Sequence, residues 1–305
     1  SQQAEQTPAE AFHKYRMAQG QRARVLGSIL IALQPDYAIQ LRRAPDWKEA
    51  CTEAWGAPAA DATVQVLTLR ELLGVVGAHE WRKKGVAMPV LGKEARIYPH
   101  YGVFSPVRGE YVALVNEAPL PQGARELAFD IGTGTGVLAA LLAKRGVRRV
   151  VATDMSPRAL VCAQDNVQRL GLSDKIALQQ TDLFPEGQAA LIVCNPPWVP
   201  ARAVTTLEHA VYDENSAMLR GFLNGLRAHL TPEGEGWLIL SDLAEHLGLR
   251  SREELMGWID AAGLYVVYRM DTEPTHGKAQ DSSDALHAAR AAEVTSLWRL
   301  KAKAA

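Results

Sequence analysis

The stretch DIGTGTGVL, residues 130–138, decides the fold class of this sequence. It follows the apolar run ELAF and places Gly132, Gly134 and Gly136 at alternate positions ahead of an apolar helical pattern. Glycine adopts backbone angles that other residues avoid, so such a turn brings the main chain close to a ligand. A strand, a glycine-rich turn and a helix in this order predict a doubly wound α/β domain. Its ligand site is expected at the carboxyl end of the strand.

Strands and helices alternate along the rest of the chain. We predict strands at RVVATD, KIALQQTD, ALIVCNPP, WLILSD, YVVYRM and VTSLWRL, and helices at SPRALVCAQDNVQRLG, SAMLRGFLNGLRAHL and REELMGWIDAAG. The first of these helices has Ser156 as its N-cap, Pro157 in its first turn and Gly171 at its end, where each residue type is favoured. Strands separated by helices form right-handed βαβ units. The pattern therefore predicts a parallel sheet covered by helices on both faces.

The chain ahead of the glycine turn has a different pattern, which predicts a separate domain. Apolar residues at three- and four-residue spacing predict helices at RVLGSILIAL and TLRELLGVVGAHEW, and PDWKEACTEAW reads as a short helix between them. MPVLGKEARIYPHYG predicts a β-hairpin turning at Gly92-Lys93, and VRGEYVALVNEA predicts another helix. The run PLPQGAR, from Pro119, is rich in proline and glycine. We therefore predict a mainly helical domain over residues 1–118 and an α/β domain over residues 119–305.

The composition excludes several classes of protein. The 305 residues are 48% hydrophobic and 22% charged, with a formal net charge of −1, as in a soluble globular protein. This balance lacks the basic footprint of a protein that wraps long nucleic acid. The three cysteines are far apart, so neither a disulfide framework nor a zinc site is expected, and a reducing cytoplasm fits. We find no signal-peptide pattern and no run of 18 apolar residues that predicts a membrane span.

The glycine spacing distinguishes between kinds of nucleotide ligand. A dinucleotide site requires its third glycine at position 137, which is Val137, and no Lys-Ser or Lys-Thr pair supports a phosphate loop. The pattern D-x-G-x-G-x-G instead resembles the first motif of the class I S-adenosylmethionine (SAM)-dependent methyltransferases. The resemblance implies a Rossmann-like domain of seven strands and SAM as cofactor. The turn residues implied to bind it are Asp130, Gly132, Thr133, Gly134 and Gly136.

Acidic residues at the next strand ends support this resemblance. Asp154 ends the second strand, where an acid can accept both ribose hydroxyls of a nucleoside, and Met155 follows it. Asp182 ends the third strand, where it is expected to receive the adenine amino group while Leu183 covers the ring. Asp130 is expected to face the cationic methionine end of the cofactor, directly or through water.

The stretch VCNPPW, residues 193–198, ends the fourth strand at the same predicted edge. Two prolines stiffen this tip and donate no N–H, so the carbonyls of Asn195 and Pro196 stay free to accept hydrogen bonds. The Asn195 side chain and the Pro196 carbonyl can together accept both N–H bonds of a primary amide or an aromatic amino group. Trp198 offers a flat face for a planar group. We predict Asn195, Pro196 and Trp198 as catalytic residues, with Asn195 also bordering the cofactor, acting through orientation and electrostatics.

The tip makes the resemblance more specific. NPPW is similar to the motif of the release-factor glutamine N5-methyltransferases and of N6-adenine-type N-methyltransferases, which implies methyl transfer to nitrogen. YGVFSPVRGEYV occupies the place of a family segment that leads into a helix closing over SAM, which implies cofactor contacts for Arg108 and Glu110. Two differences lie on the substrate side. Trp198 replaces the usual tyrosine, and Tyr212-Asp213 stand where the family has glycines.

Several acceptors fit the tip. The leading one is a glutamine side chain of a protein such as a translation factor, selected by the N-terminal domain. Adenine N6 or guanine N2 of RNA or DNA has the same N–H and aromatic chemistry, although the balanced charge disfavours it, and a small-molecule amine is a third candidate. A SAM-binding partner subunit without catalysis is the alternative outside enzymes, disfavoured because Asn195-Pro196-Pro197 is intact. We expect a cytoplasmic protein that needs no metal; the sequence does not indicate its oligomeric state.

Overall fold

The computed structural model describes residues 7–107, 109–200, 211–272 and 287–305. Its N-terminal part contains α1 (Pro8–Gly27), β1 (Leu30–Leu33), α2 (Lys48–Trp55), β2 (Gln65–Thr68), α3 (Leu69–Lys84), β3 (Val86–Ala87), β4 (Arg96–Ile97) and α4 (Glu110–Glu117). Strands β1 and β2 pair antiparallel, as do β3 and β4. A hairpin thus encloses Gly92-Lys93 as predicted, but its first strand lies ahead of the predicted stretch, in which Pro89–Leu91 form a 3-10 helix.

A seven-stranded sheet forms the centre of the molecule, which confirms the predicted Rossmann-like α/β fold. Its strands are β5 (Ala128–Ile131), β6 (Val150–Asp154), β7 (Ile176–Gln180), β8 (Ala189–Cys194), β9 (Leu230–Ser241), β10 (Leu264–Thr272) and β11 (Thr295–Ala302). The strand order is β10-β11-β9-β8-β5-β6-β7. Strand β11 runs antiparallel to both of its neighbours, while β9, β8, β5, β6 and β7 are parallel.

Helices cover this sheet because successive side chains of each strand point to opposite faces. The main covering helices after α4 are α5 (Val137–Lys144), α6 (Pro157–Arg169), α7 (Ala217–His229) and α9 (Arg252–Ala261). The short helices α8 (Leu243–His246) and α10 (His287–Ala291) pack in a separate cluster with Phe12 of α1. On β8, Leu191 and Val193 belong to one hydrophobic cluster with α4 and α5, whereas Ile192 and Cys194 belong to a second cluster with α7 and α9. Each face of the sheet thus has its own core.

One predicted helix is wrong. The stretch RVLGSILIAL was expected to be a single helix, but α1 ends at Gly27 and residues Leu30–Leu33 form β1. A short apolar run suits a helix or a strand equally well by its pattern. The outcome is decided by main-chain pairing with β2, in which Leu30 lies opposite Thr68.

The predicted division at residue 118 stays a prediction. The first hydrophobic cluster contains side chains from both sides of that position, such as Tyr111 and Leu141. Tyr98 is tied to α6 by Asn166, whose Oδ1 accepts from the Tyr98 N–H at 2.8 Å and whose Nδ2 donates to the Tyr98 carbonyl at 3.1 Å. In the described part of the chain, no helix combines the length and the apolar character needed to cross a membrane.

Candidate functional site

The predicted site residues gather at one edge of the sheet because the strand ends are in register. Ile131 at the end of β5 lies opposite Thr153 on β6 and Cys194 on β8, and Asp154 lies opposite Gln180 on β7. The carboxyl ends of parallel strands meet at a common edge. The structure therefore places together the glycine turn after β5, Asp154 and Met155 after β6, Asp182 and Leu183 after β7, and Asn195, Pro196 and Trp198 after β8.

The turn requires its glycines. Gly132, Gly134 and Gly136 have φ angles of +68°, +54° and +84°, in the region that other residues rarely adopt. A Cβ atom at Gly132 would lie 2.5 Å from Cε of Met218, and one at Gly136 would lie 3.3 Å from Cβ of Ala163. The turn is therefore both left-handed and closely approached by α6 and α7, as expected for a backbone cradle.

Asp130 holds this turn from beneath. Its side chain is buried, at 1% exposure, and its Oδ2 accepts hydrogen bonds from the Thr133 hydroxyl at 2.7 Å and from the Ala139 N–H at 3.2 Å. Burial raises the pKa of Asp130 to about 7, and these two hydrogen bonds oppose the shift. The predicted contact of Asp130 with the methionine end of SAM remains a prediction.

Asp154 is fixed by two main-chain donors. Its Oδ2 accepts from the Gly134 N–H at 3.0 Å, and its Oδ1 accepts from the Ser156 N–H at 3.0 Å. Burial raises the pKa of this carboxyl above its usual value. Each carboxylate oxygen retains further acceptor capacity, so both can still receive ribose hydroxyls. Met155 beside it is 63% exposed, which leaves an apolar surface at the same edge.

The two predicted site residues after β7 differ in exposure and in backbone conformation. Asp182 is exposed, whereas Leu183 is half-buried and has a left-handed backbone with φ +65°. The Leu183 carbonyl accepts a hydrogen bond from the Thr153 hydroxyl at 2.6 Å. A Cβ on Gly221 of α7 would meet Leu183 Cδ1 at 2.8 Å. Both adenine contacts predicted for this segment remain predictions.

The tip after β8 is built around a hydrogen bond between two of its own side chains. Trp198 Nε1–H donates to Asn195 Oδ1 at 2.8 Å. Pro196 is buried, and Asn195 and Trp198 are half-buried. The Trp198 ring packs against both hydrophobic clusters, and the Tyr111 ring meets it edge-on at a centroid distance of 6.3 Å. Trp198 is thus anchored in the core and remains partly exposed.

Tyr111 was not identified from the sequence. It is buried at the start of α4, next to Glu110, and its ring contacts the tip through Trp198. Burial raises the pKa of Tyr111, and the carboxylates of Asp130 and Glu110 raise it further. The start of α4 therefore approaches the glycine turn and the tip. Arg108, its predicted companion, lies outside the described residues.

Asp213, singled out in the sequence only as a difference from the similar family, ties the tip to α7. The Asp213 N–H donates to the Val199 carbonyl at 2.9 Å, and the Asp213 carboxylate accepts from Met218 N–H at 3.0 Å and from Leu219 N–H at 3.2 Å. Burial raises the pKa of Asp213. An aspartate shortly before a helical pattern is a recognisable cap signal, so this role was accessible from the sequence.

Arg250 also links the tip to the residues that precede α7. Its guanidinium is buried; Nη1 donates to Ser216 Oγ at 3.1 Å, and Nη2 lies 3.5 Å from the Trp198 carbonyl. Ser216 has a left-handed backbone, with φ +54°. Burial lowers the pKa of Arg250, while the carboxylates of Glu245 and Asp213 raise it. No local sequence pattern predicts the role of Arg250, because this role depends on three segments that meet only in the folded chain.

Comparison with known proteins gives consistent matches. A family model described as "Methyltransferase small domain" matches residues 94–257. The release factor glutamine methyltransferase of Cereibacter sphaeroides is 33% identical over 45% of this chain and 51% of its own length. That of Moorella thermoacetica is 42% identical over 36% and 41%. The ribosomal protein uL3 glutamine methyltransferase of Bordetella pertussis is 39% identical over 33% and 35%. The chain thus spans about half, or less, of the length of these relatives.

Proposed function

We propose that this chain, which belongs to the methyltransferase small-domain family, transfers a methyl group from SAM to a planar amide or amino nitrogen. One observation carries the proposal: the Asn195 tip follows β8, which pairs directly with β5 and its glycine turn. A nitrogen held at the tip would be next to a ligand held by the turn. Proximity and orientation of this kind account for much of the rate of a displacement reaction.

The donor set at the turn fits SAM. Three positive-φ glycines shape the turn, and beside Gly134 the first atom that a Cβ would meet is Val103 Cγ1 at 4.0 Å, which leaves room for a ligand there. Asp154 is fixed by two hydrogen bonds and has further acceptor capacity. We assign the ribose to Asp154, the adenine to Asp182, Leu183 and Met155, and the methionine end to the turn, Asp130 and Glu110. When bound, SAM supplies an electrophilic methyl group on a sulfonium.

The tip would hold the acceptor nitrogen. Asn195 Oδ1 and the Pro196 carbonyl each accept one N–H of the acceptor, which directs the nitrogen lone pair towards the methyl group. The two oxygens are in place before the reaction, so little reorganisation is needed as positive charge develops on the nitrogen that receives the methyl group. When the C–N bond has formed and the bond from the methyl group to sulfur has broken, the two oxygens would still bind the two N–H groups of the methylated nitrogen, until water or a neighbouring group removes one proton. Trp198 borders the acceptor with its aromatic surface.

A glutamine side chain of a protein is the proposed acceptor. The relatives named above act on glutamine in release factors or in ribosomal protein uL3, and a primary amide presents the two N–H bonds that the tip can receive. We assign substrate selection to the N-terminal residues 1–118. A cytoplasmic location follows from such a substrate.

Labelling identifies the acceptor class directly. The protein is incubated with methyl-labelled SAM and a cell lysate, and the product is then digested with protease or nuclease. Label that protease releases, and that peptide analysis places on glutamine, supports the proposal. Label released by nuclease would instead indicate an exocyclic amino group of RNA or DNA, and label in small metabolites would indicate an amine. The Asn195→Ala variant is the matched control for background transfer.

A further inference from the structure

The indole of Trp198 makes a contact that its aromatic face does not explain. Its Nε1–H donates to Oδ1 of Asn195 at 2.8 Å. An indole N–H is a donor only, so it selects the oxygen of the amide and cannot pair with the Asn195 NH₂ group. The hydrogen bond therefore determines which way round the Asn195 amide lies.

The indole is itself held in place. Trp198 packs against both hydrophobic clusters, the Tyr111 ring meets it edge-on at an interplanar angle of 86°, and its carbonyl lies 3.5 Å from the buried Arg250 guanidinium. A side chain already ordered by packing loses little further rotamer freedom when it makes a hydrogen bond. Trp198 can therefore restrain Asn195, and not merely follow its motion.

We propose that Trp198 is a positioning residue whose indole N–H holds Asn195 Oδ1 ready to accept an N–H from the methyl acceptor. This inference rests on the proposed function. An amide oxygen has two lone pairs, so one binds the indole while the other remains for the acceptor nitrogen. The tyrosine that is usual in the similar family motif has no ring N–H. The tryptophan thus gives this chain a different means of orienting the asparagine.

The first test removes only the N–H. β-(3-Benzothienyl)alanine at position 198 keeps the size and face of the indole but replaces the N–H with sulfur, and Trp198→Phe is the simpler variant. We expect kcat to fall about tenfold in both, the effect of losing one hydrogen bond that orients a reacting group. Kd for SAM should stay unchanged in both, and KM for the acceptor should stay unchanged in the sulfur analogue, which keeps the aromatic face. In Trp198→Phe the smaller ring should also raise KM. Trp258→Phe is the control, since Trp258 is also half-buried and packs against the second cluster.

The second test observes the hydrogen bond without relying on activity. In protein labelled with ¹⁵N-tryptophan, the Trp198 indole resonance is identified by its loss in Trp198→Phe. Asn195→Ala removes the acceptor, so this resonance should shift upfield and its proton should exchange faster with solvent. Asn195→Asp retains an acceptor oxygen and should preserve the downfield position.

The outcomes separate this inference from the proposed function. If the wild type is active and its sulfur analogue has the same kcat, the positioning role is overturned. It is also overturned if the Trp198 indole resonance does not change in Asn195→Ala. A fall in kcat matched by equal losses of SAM affinity and stability would also overturn it, because it would indicate structural damage. A wild type that methylates no nitrogen would overturn the proposed function itself, and the positioning role with it, even with the indole resonance behaving as expected.

Discussion

The two halves of the site are held by different kinds of contact. In the donor half, formed by the glycine turn, Asp130 and Asp154, the hydrogen bonds join groups between residues 130 and 156: Asp130 binds groups three and nine residues away, and Asp154 binds groups two and 20 residues away. In the acceptor half, formed by the Asn195–Trp198 tip, residues 211–219 and Arg250, short-range hydrogen bonds such as that between Trp198 and Asn195 are joined by contacts between distant segments. Arg250 lies 34 residues from Ser216 and 52 from Trp198. The hydrogen bonds of the donor half therefore lie within residues 130–156, whereas the acceptor half also depends on Arg250, which joins distant segments.

This difference has a functional consequence. A turn whose hydrogen bonds lie within one region of the chain suits a ligand of constant structure. A tip held by distant elements can be re-oriented by substitutions that never touch the substrate, which suits a site whose acceptor differs among relatives. Variants in the two halves should therefore separate cofactor affinity from turnover.

The largest effect is expected at the tip. Asn195→Ala should lower turnover by about 10²–10³, the range for losing one well-placed polar group in a transition state. SAM affinity, measured by calorimetry, should be nearly unchanged, because the cofactor is assigned to the neighbouring strand ends. Asn195→Asp should retain part of the activity, since a carboxylate still accepts the hydrogen bond. Equal losses of SAM binding and turnover would show that Asn195 is a cofactor contact. The division of the site into a donor half and an acceptor half would then be wrong.

At the glycine turn we expect the opposite result, in which a substitution mainly lowers SAM affinity. Gly134 has φ +54° and its N–H binds Asp154, so Gly134→Val should strain the backbone and fill the cradle. We expect SAM affinity to fall about a hundredfold, and the rise in melting temperature caused by SAM or S-adenosylhomocysteine to disappear. Gly187→Val is the matched control, because Gly187 also has a positive φ, +93°, with open space around it. Wild-type protein that shows no thermal shift with SAM would contradict the donor half as described.

The same division explains what the sequence predicted. The turn, Asp154 and the succession of strands and helices along the chain follow from local pattern, and the glycine conformation expected at residues 132, 134 and 136 is confirmed by their φ angles. The strand at Leu30–Leu33 was missed because pairing with β2, not local pattern, determines it. Tyr111 and Arg250 were missed for the same reason: each reaches the tip only after distant elements have packed together.

A moderate effect is expected at Arg250, which contacts neither assigned ligand. Arg250→Met removes the donor to Ser216 and the guanidinium beside the Trp198 carbonyl while keeping much of the apolar stem. We expect the free energy of unfolding to fall by about 2 kcal/mol, as for a buried charged hydrogen bond, with a larger loss of turnover than of SAM affinity. Urea denaturation and kinetics check this. Arg220→Met, at an exposed position on α7, is the control; equal effects in both variants would deny Arg250 a role in the acceptor half.

The smallest effect is a pH dependence in the donor half. Burial raises the pKa of Asp130 to about 7, so the native state retains a proton that the unfolded chain releases near pH 4. The contribution of this group to stability is therefore largest at low pH and declines as the pH rises towards 7. If the cationic methionine end of SAM lies near Asp130, binding favours the ionised carboxylate. SAM affinity should then rise about three- to tenfold between pH 6 and pH 8.

Asp130→Asn tests this assignment. The amide oxygen can still accept from Thr133 and Ala139, so the turn should persist, but the variant has no carboxyl to titrate. We expect calorimetry to give a flatter dependence of SAM affinity on pH in the variant. Titration of the SAM amino group is common to both proteins, so the difference between the two curves belongs to position 130. If SAM affinity depends on pH in the same way in both proteins, the methionine end does not lie near Asp130. The role of this carboxyl would then be limited to its hydrogen bonds with the turn.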